Sequence, residues 1–274
     1  MDAPLRISLV LPAYNEAAVI GRAVAEAEAA LAARFAAFEI IVVDDGSTDD
    51  TADVVQRRIP AAPHTRLLRH ATNRGYGAAL RTGFEAARFP LVAFTDADCQ
   101  FDLSELANLT ALAADHDIVA GYRADRKDPW RRRFLSRGYN LLTRILLGTG
   151  VRDVDCALKV FRRSALAQLF PESRGFFVNS EMLTRARRLG LTVAERPVTH
   201  RPRAGGDSKV SLWEVPRTFR TLVGFWWTEV VWAARPTAAV TQARVTVPEP
   251  APARRPASEA PRPAAPRGRR REAA

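Results

Sequence analysis

The sequence predicts an α/β protein, a three-layer α/β/α sandwich around a mainly parallel central sheet. Short apolar runs alternate with helical stretches along the first hundred residues. Those runs are apolar at consecutive positions rather than at every second one, the pattern of strands covered by helices on both faces. Polar clusters follow three of the runs, where open α/β sheets bind ligands.

The elements follow in order. Arg6–Leu11 reads as a strand ended by Pro12, and Glu16–Phe35 as an Ala-rich helix with Asn15 as its N-cap. Glu39–Val43 is a β-branched strand that stops at Asp44-Asp45-Gly46-Ser47. Thr48–Arg58 reads as a helix, Arg66–Arg69 as a strand, Gly77–Arg88 as a helix and Leu91–Thr95 as a fully buried strand. There is no internal repeat.

Composition narrows the class. With 47% hydrophobic and 26% charged residues in a chain of 274, the sequence can bury a sizeable core. Two cysteines, Cys99 and Cys156, are too few for a disulfide framework, so a reducing compartment is expected and both thiols are read as small buried fillers. No signal peptide is evident at the first residues, and no apolar run reaches the roughly 20 residues of a membrane-spanning helix. The expectation is a cytoplasmic protein.

The net charge of +11 does not indicate nucleic-acid binding, because of where it lies. Residues 235–274 hold nine arginines against three glutamates, and eight of the eighteen prolines. That composition predicts a disordered tail, and its arginines have no aromatics between them on which bases would stack. Attraction to an anionic lipid is its functional reading, a solvated tail its plain one. The stretch 213–234 is predicted as an amphipathic Trp-rich helix. Tryptophans beside arginines suit a helix lying on the inner face of a membrane as a peripheral contact, and equally one packed on the catalytic domain or in a dimer.

Asp96-Ala97-Asp98-Cys99-Gln100 carries the sharpest chemistry. If the chain stays extended, Asp96, Asp98 and Gln100 project together. Two carboxylates and an amide oxygen are hard ligands for Mg²⁺ or Mn²⁺, which would neutralise a departing diphosphate. A turn with self-capping aspartates is the alternative. The four histidines show no metal-ligand spacing, and His200 is expected at the surface.

Pro12-Ala13-Tyr14-Asn15-Glu16, Val42-Val43-Asp44-Asp45-Gly46-Ser47-Thr48-Asp49 and Asp96-Ala97-Asp98-Cys99-Gln100 resemble the motifs of family-2 glycosyltransferases. Asn73-Arg74-Gly75-Tyr76-Gly77-Ala78-Ala79, Gly121-Tyr122-Arg123 and Arg203-Ala204-Gly205-Gly206-Asp207-Ser208-Lys209 extend the likeness, in the family's order, over residues 5 to about 212. Within the family the polyprenol-phosphate sugar transferases are most similar. The resemblance implies a Rossmann-like GT-A domain over residues 1–212 and inverting transfer of a hexose, mannose or glucose, from a GDP- or UDP-linked sugar. The implied acceptor is a polyprenyl phosphate, or else a hydroxyl of a sugar, lipid or small molecule.

It also implies roles. Pro12, Tyr14, Glu16, Val43 and Asp45 match positions that hold the nucleotide, and Asp96, Ala97 and Asp98 the diphosphate and metal, with Gln100 a further ligand. Arg203 and Lys209 match cations that grip phosphates, while Arg123, Arg132 and Ser136 fall where an acceptor's phosphate binds. The sequence departs from the lipid-linked pattern at Asp153-Val154-Asp155-Cys156, where Asp155 is a general base, a second acidic contact, or a buried partner for Lys159.

Overall fold

The computed structural model describes residues 5–125, 130–202 and 214–232, without the side chains of 130–132, 214–218 and 232. Arg203, Lys209 and the tail from 235 therefore lie outside the described residues, as does the side chain of Arg132. All described residues fall in one compact unit of the chain.

Seven strands form one sheet: β1 (Arg6–Ala13), β2 (Ala37–Asp44), β3 (Thr65–Arg69), β4 (Leu91–Phe94), β5 (Ile118–Arg123), β6 (Lys159–Arg162) and β7 (Val193–Val198). Their order is β3-β2-β1-β4-β6-β5-β7. Every pairing is parallel except those of β6, which runs against both β4 and β5. Seven of the eight residues of β1 and of β2 are buried, as uninterrupted apolar runs require.

The first helices are α1 (Ile20–Ala32), α2 (Thr51–Arg58) and α3 (Tyr76–Ala86). Right-handed crossovers set α1 and α2 on one face of the sheet. The α3 connection runs back across β2 and β1 to reach β4, which sets α3 on the other face. The order thus reverses between β1 and β4, a topological switch point, where such sheets bind ligands. Beside it, Phe84 of α3 packs with Phe94 of β4 and Phe161 of β6, with ring centroids 5.8–6.2 Å apart.

Helices α4 (Leu106–Leu112), α5 (Trp130–Leu146), α6 (Arg163–Leu166), α7 (Val178–Arg188) and α8 (Glu214–Phe225) complete the fold, and α8 continues as a π-helical segment, Trp226–Trp232. Leu222 is buried with Leu147 and Phe177, packed by Tyr139, Leu142, Leu146, Phe225 and Trp226. The Trp-rich stretch therefore packs one face on protein while Phe219, Val223 and Trp227 stay exposed.

Two expectations at helix starts are corrected. Asn15 does not cap α1: it takes a positive φ of 51°, and α1 begins later, after Val19. Its carboxamide oxygen instead accepts the Thr48 N–H at 2.9 Å, tying the loop after β1 to the loop after β2. The second helix starts at Thr51, because Asp49 accepts the Thr51 N–H at 3.0 Å and holds residues 48–50 in a turn.

Candidate active site

The carboxyl ends of β2, β1 and β4 are neighbours, so the three polar clusters meet at one edge of the sheet. The reversed strand β6 starts at that same edge, with Lys159 opposite Phe94. Residues 153–158 therefore join the acidic strand ends.

The loops after β1 and β2 are stitched together. The Asn15 N–H donates to Ser47 Oγ (2.9 Å), Glu16 N–H to Thr51 Oγ1 (2.8 Å) and Ala17 N–H to Asp49 Oδ2 (3.1 Å). Tyr14 and Glu16 are half-buried on this loop, while Pro12 and Val43 lie paired in register and buried beneath it.

Asp45 is buried and heavily engaged. Its Oδ1 accepts the Arg74 N–H at 2.9 Å and lies 2.6 Å from His70 Nδ1, and its Oδ2 accepts the Gly75 N–H at 2.8 Å. An ionised carboxylate has about four acceptor positions, so three are used within the protein. Asp45, expected at the nucleotide, is therefore also tied into the 70–75 loop. That loop is held from outside as well. Gly75 has φ = 100°, and the Gly77 N–H donates to Arg174 O at 2.9 Å. A Cβ at Gly77 would lie 1.9 Å from Ser173 O, so only glycine permits this approach. Buried Glu181 in turn accepts the N–H groups of Glu172 and Ser173, both at 2.8 Å.

At the end of β4, the Tyr76 hydroxyl donates to Asp96 Oδ1 at 2.8 Å. Burial, and then the charges of Asp96, Asp98 and Asp155, push the Tyr76 phenol well above its usual pKa. The phenol is thus held neutral as a donor to Asp96, at the end of the strand beside the switch point.

Residues 98–100 do not continue extended, which corrects the basis for grouping Gln100 with the aspartates. Cys99 takes φ = 59°, and Asp98 Oδ1 accepts the Gln100 N–H at 3.2 Å. Gln100 turns to the chain beyond β7, donating from Nε2 to Arg201 O (3.3 Å) and accepting the Arg201 N–H (2.7 Å). Ala97 is buried. His200, expected at the surface, is buried in a bridge to Phe101, with the rings 5.7 Å apart. Both cysteines are buried and free, as expected of fillers, and burial first of all pushes the Cys156 thiol up to about 12.

Arg123, at the end of β5, is not an unengaged cation. Its Nε and Nη2 bond Asp153 Oδ2 and Oδ1 at 2.6 and 2.7 Å, a bidentate pair with side chains 7% and 8% exposed. Asp153 thus fixes the guanidinium of the residue expected to meet an acceptor phosphate. Further cations lie close by: Arg123 and Asp153 share an open cleft with Tyr122, Arg133, Arg137 and Arg152, the last 3.8 Å from Glu195. Arg152 also lies 4.9 Å over the Tyr122 ring. Sequence reading chose Arg132 from the run Arg131–Arg133 and missed Arg137. The i, i+4 spacing of Arg133 and Arg137 on a helix was the available signal. Ser136 is half-buried on the same helix and lies 3.4 Å from Asn140 Nδ2.

Lys159 resolves one alternative for Asp155. Its buried ammonium donates to Val154 O (2.9 Å), Asn179 Oδ1 (3.0 Å) and Cys156 O. An ammonium has three donors, so all are occupied, and Asp155 acts on it through charge alone. Lys159 and Asn140, whose Oδ1 accepts the Val154 N–H at 2.9 Å, thus shape the loop that carries Asp155.

A Rossmann-like α/β domain with carboxylates gathered at its switch point is the GT-A class of fold. The chain belongs to glycosyl transferase family 2, whose family model matches residues 8–170. It is 35% identical over 230 residues to the undecaprenyl-phosphate 4-deoxy-4-formamido-L-arabinose transferase of Sodalis glossinidius, covering 81% of this chain and 69% of that protein. It is 36% identical over 222 residues to glycosyltransferase AglD of Haloferax volcanii, covering 77% of this chain and 35% of that one. The chain thus spans about a third of the archaeal relative's length. Among solved structures, glucosyl-3-phosphoglycerate synthase from Mycobacterium tuberculosis, in complex with Mn²⁺, UDP-glucose and phosphoglyceric acid, aligns with a TM-score of 0.61. Its identity is 25%, covering 81% of this chain and 79% of that one.

Proposed function

We propose that this protein transfers a hexosyl group, mannose or glucose, from an NDP-sugar to a polyprenyl phosphate, with inversion. The observation that carries the reading is the gathering of the acidic ends of β2 and β4 and the start of β6 at one edge of the sheet, in a chain that also holds an arginine-rich cleft beside Arg123. The undecaprenyl-phosphate relatives support the acceptor class, and the solved Mn²⁺ and UDP-glucose complex supports a metal-assisted donor. The Sodalis relative is named for a formamido-arabinose, so the hexose rests on the motif resemblance.

A divalent ion suits the donor set. Among the described residues no three His, Cys, Asp or Glu side chains form a metal-holding group of their own. Asp96 and Asp98 would then hold Mg²⁺ or Mn²⁺ together with diphosphate oxygens and water, the way such ions are bound when substrate completes the shell. When bound, the ion neutralises the charge that develops on the leaving diphosphate. The chain's own residues do the rest. The 12–16 and 44–48 loops form the nucleotide wall, and Asp45 keeps the 73–77 loop in shape. Arg133, Arg137 and Arg152 draw the acceptor phosphate in, while the Arg123–Asp153 pair fixes the cleft. Arg203 and Lys209 are assigned the donor phosphates on the motif alone. An acceptor phosphate oxygen bonds the anomeric carbon as the bond to the diphosphate oxygen breaks, and the nucleoside diphosphate leaves with that electron pair. The acceptor is already an anion, so no proton has to move.

A hydroxyl acceptor is the second reading, favoured by Asp155, which lies on the loop leading into β6 at the same edge of the sheet. A hydroxyl needs a base within hydrogen-bond reach. The test is a panel of GDP- and UDP-sugars with polyprenyl phosphate, followed by analysis of the lipid product. Asp98→Asn and excess chelator should each cut turnover by about 100-fold or more, the scale of losing an electrostatic stabiliser of the leaving group. Asp155→Asn should leave a substantial rate. An indispensable Asp155 with no lipid product would move the protein to the hydroxyl class, and full activity in chelator would remove the metal.

A further inference from the structure

Phe176 and Phe177 are adjacent in the chain and differently used. Phe177 is 4% exposed and packs edge-on against Phe225, with ring centroids 5.1 Å apart. Phe176 is 47% exposed. A single exposed apolar residue is ordinary. Two further observations set this one apart.

The first is that its backbone is fixed on both sides. Before it, buried Glu181 accepts the N–H groups of Glu172 and Ser173, and is itself paired with Arg185 at 3.0 Å. Arg174 O accepts the Gly77 N–H, in the close approach that only glycine permits at 77. After it, the Val178 N–H donates to Gly175 O at 3.3 Å and the Glu181 N–H to Phe177 O at 3.1 Å, which starts α7. A ring carried on so fixed a segment loses little freedom when a ligand covers it.

The second is where the ring stands. Its centroid is 5.3 Å from that of Tyr76, with the two planes tilted by 32°. The Tyr76 hydroxyl in turn donates to Asp96, the carboxylate assigned to the metal and diphosphate. Phe176 and Tyr76 thus form an aromatic edge beside the diphosphate position. Neither ring lines the arginine cleft beside Arg123.

We infer that Phe176 is a donor-sugar contact, its ring stacked on the C–H face of the pyranose in the bound NDP-sugar. The inference rests on the proposed function and adds a residue that recognises the sugar itself. In a sugar nucleotide the pyranose is bonded to the outer phosphate, so a ring beside the diphosphate position is within its reach. A pyranose carries hydroxyls on its rim and weakly positive C–H groups on its faces, which suit the negative face of an aromatic ring. Nucleotide and acceptor phosphate have other partners here, the 12–16 and 44–48 loops and the arginine cleft. Stacking of this kind reads a flat apolar face and serves a glucose or a mannose alike.

The test is calorimetric titration of the full chain, in Mn²⁺, with UDP, UDP-glucose, GDP and GDP-mannose. Phe176→Ala should weaken the sugar nucleotide that the parent binds by about tenfold, the scale of losing one stacked ring. Its affinity for the matching free nucleoside diphosphate should stay within about twofold, which also reports an intact fold. Phe176→Tyr keeps the ring and should restore sugar-nucleotide binding. The inference is overturned if Phe176→Ala weakens both ligands alike, the mark of a loop support, or weakens neither. It is also overturned if Phe176→Tyr behaves like Phe176→Ala, or if only the KM for polyprenyl phosphate moves, which would place the ring against the lipid. A parent that binds none of the four ligands overturns the proposed function, and this contact with it.

Discussion

Removing Asp153 should unfold this protein far more readily than removing the whole Arg123–Asp153 pair. The two side chains are 7% and 8% exposed and share two short bonds, so solvent screens them little. In Asp153→Asn the guanidinium keeps its charge, because arginine cannot shed its proton to escape burial. Breaking one side of such a pair costs about 3–5 kcal/mol. For a domain of this size that corresponds to a fall in Tm of roughly 6–20 °C. The double variant Arg123→Met with Asp153→Leu removes both charges at similar volume, and should lie within about 1–2 kcal/mol of the parent. Urea denaturation of the parent, Arg123→Met, Asp153→Leu and the double variant, followed by circular dichroism, closes the cycle, with Asp153→Asn measured beside them. The reasoning fails if Asp153→Asn loses less than about 1 kcal/mol, or if the double variant is as unstable as the two singles combined. Transfer measured on the double variant, which keeps the fold, then reports what the guanidinium does for catalysis.

Two other outcomes follow from the loops around the site. Gly77→Ala forces a methyl against Ser173 O and should cost about 1–3 kcal/mol in urea denaturation, with the 73–77 loop displaced; an unchanged midpoint would refute the close approach. Asp117 takes hydrogen bonds from the Thr192 N–H and hydroxyl, and the backbone bond is the first cause of its lowered pKa. Its contribution to stability is present above about pH 4 and is lost as pH falls through the lower folded-state pKa. Asp117→Ala should therefore be less stable than the parent at pH 7, with the gap narrowing below pH 4. A gap that widens in acid would contradict the assignment.

Much of the donor half was legible because its signals are local. Uninterrupted apolar runs mark β1, β2 and β4, and the acids just past them sit where a parallel sheet gathers strand ends. The later half was harder to read, for physical reasons. Strand β6 has four residues and opens on a buried lysine, so neither length nor apolar patterning marks it. Its reversed direction is a tertiary fact, fixed by pairing with β4 and β5. Asn15 has the side chain of a helix cap, but its left-handed backbone and the Thr48 N–H draw it elsewhere. Arg123 matched its motif, yet the motif does not reveal that Asp153, thirty residues on, already holds the guanidinium. His200 is buried through a bridge to Phe101 across the fold, which no local spacing encodes.

The reversal of β6 divides the labour of the site along the chain. Carboxylates near the proposed leaving group come from residues 44–98, and the cationic cleft from residues 122–153. The two stretches meet at the antiparallel seam of β4 and β6, where Lys159 Nζ sits 5.5 Å from the centre of the Phe94 ring and pins the loop bearing Asp155. On the proposed function, acceptor preference would therefore drift by changes confined to the later segment, with the 12–16 and 44–48 loops untouched. The seam itself has no such latitude: a side chain altered there shifts the base candidate and the end of β4 at once. A chimera joined in the turn at 113–116, with the facing side chains of β4 and β6 taken from one parent, is the arrangement in which, on the proposed function, donor and acceptor choice would be inherited separately.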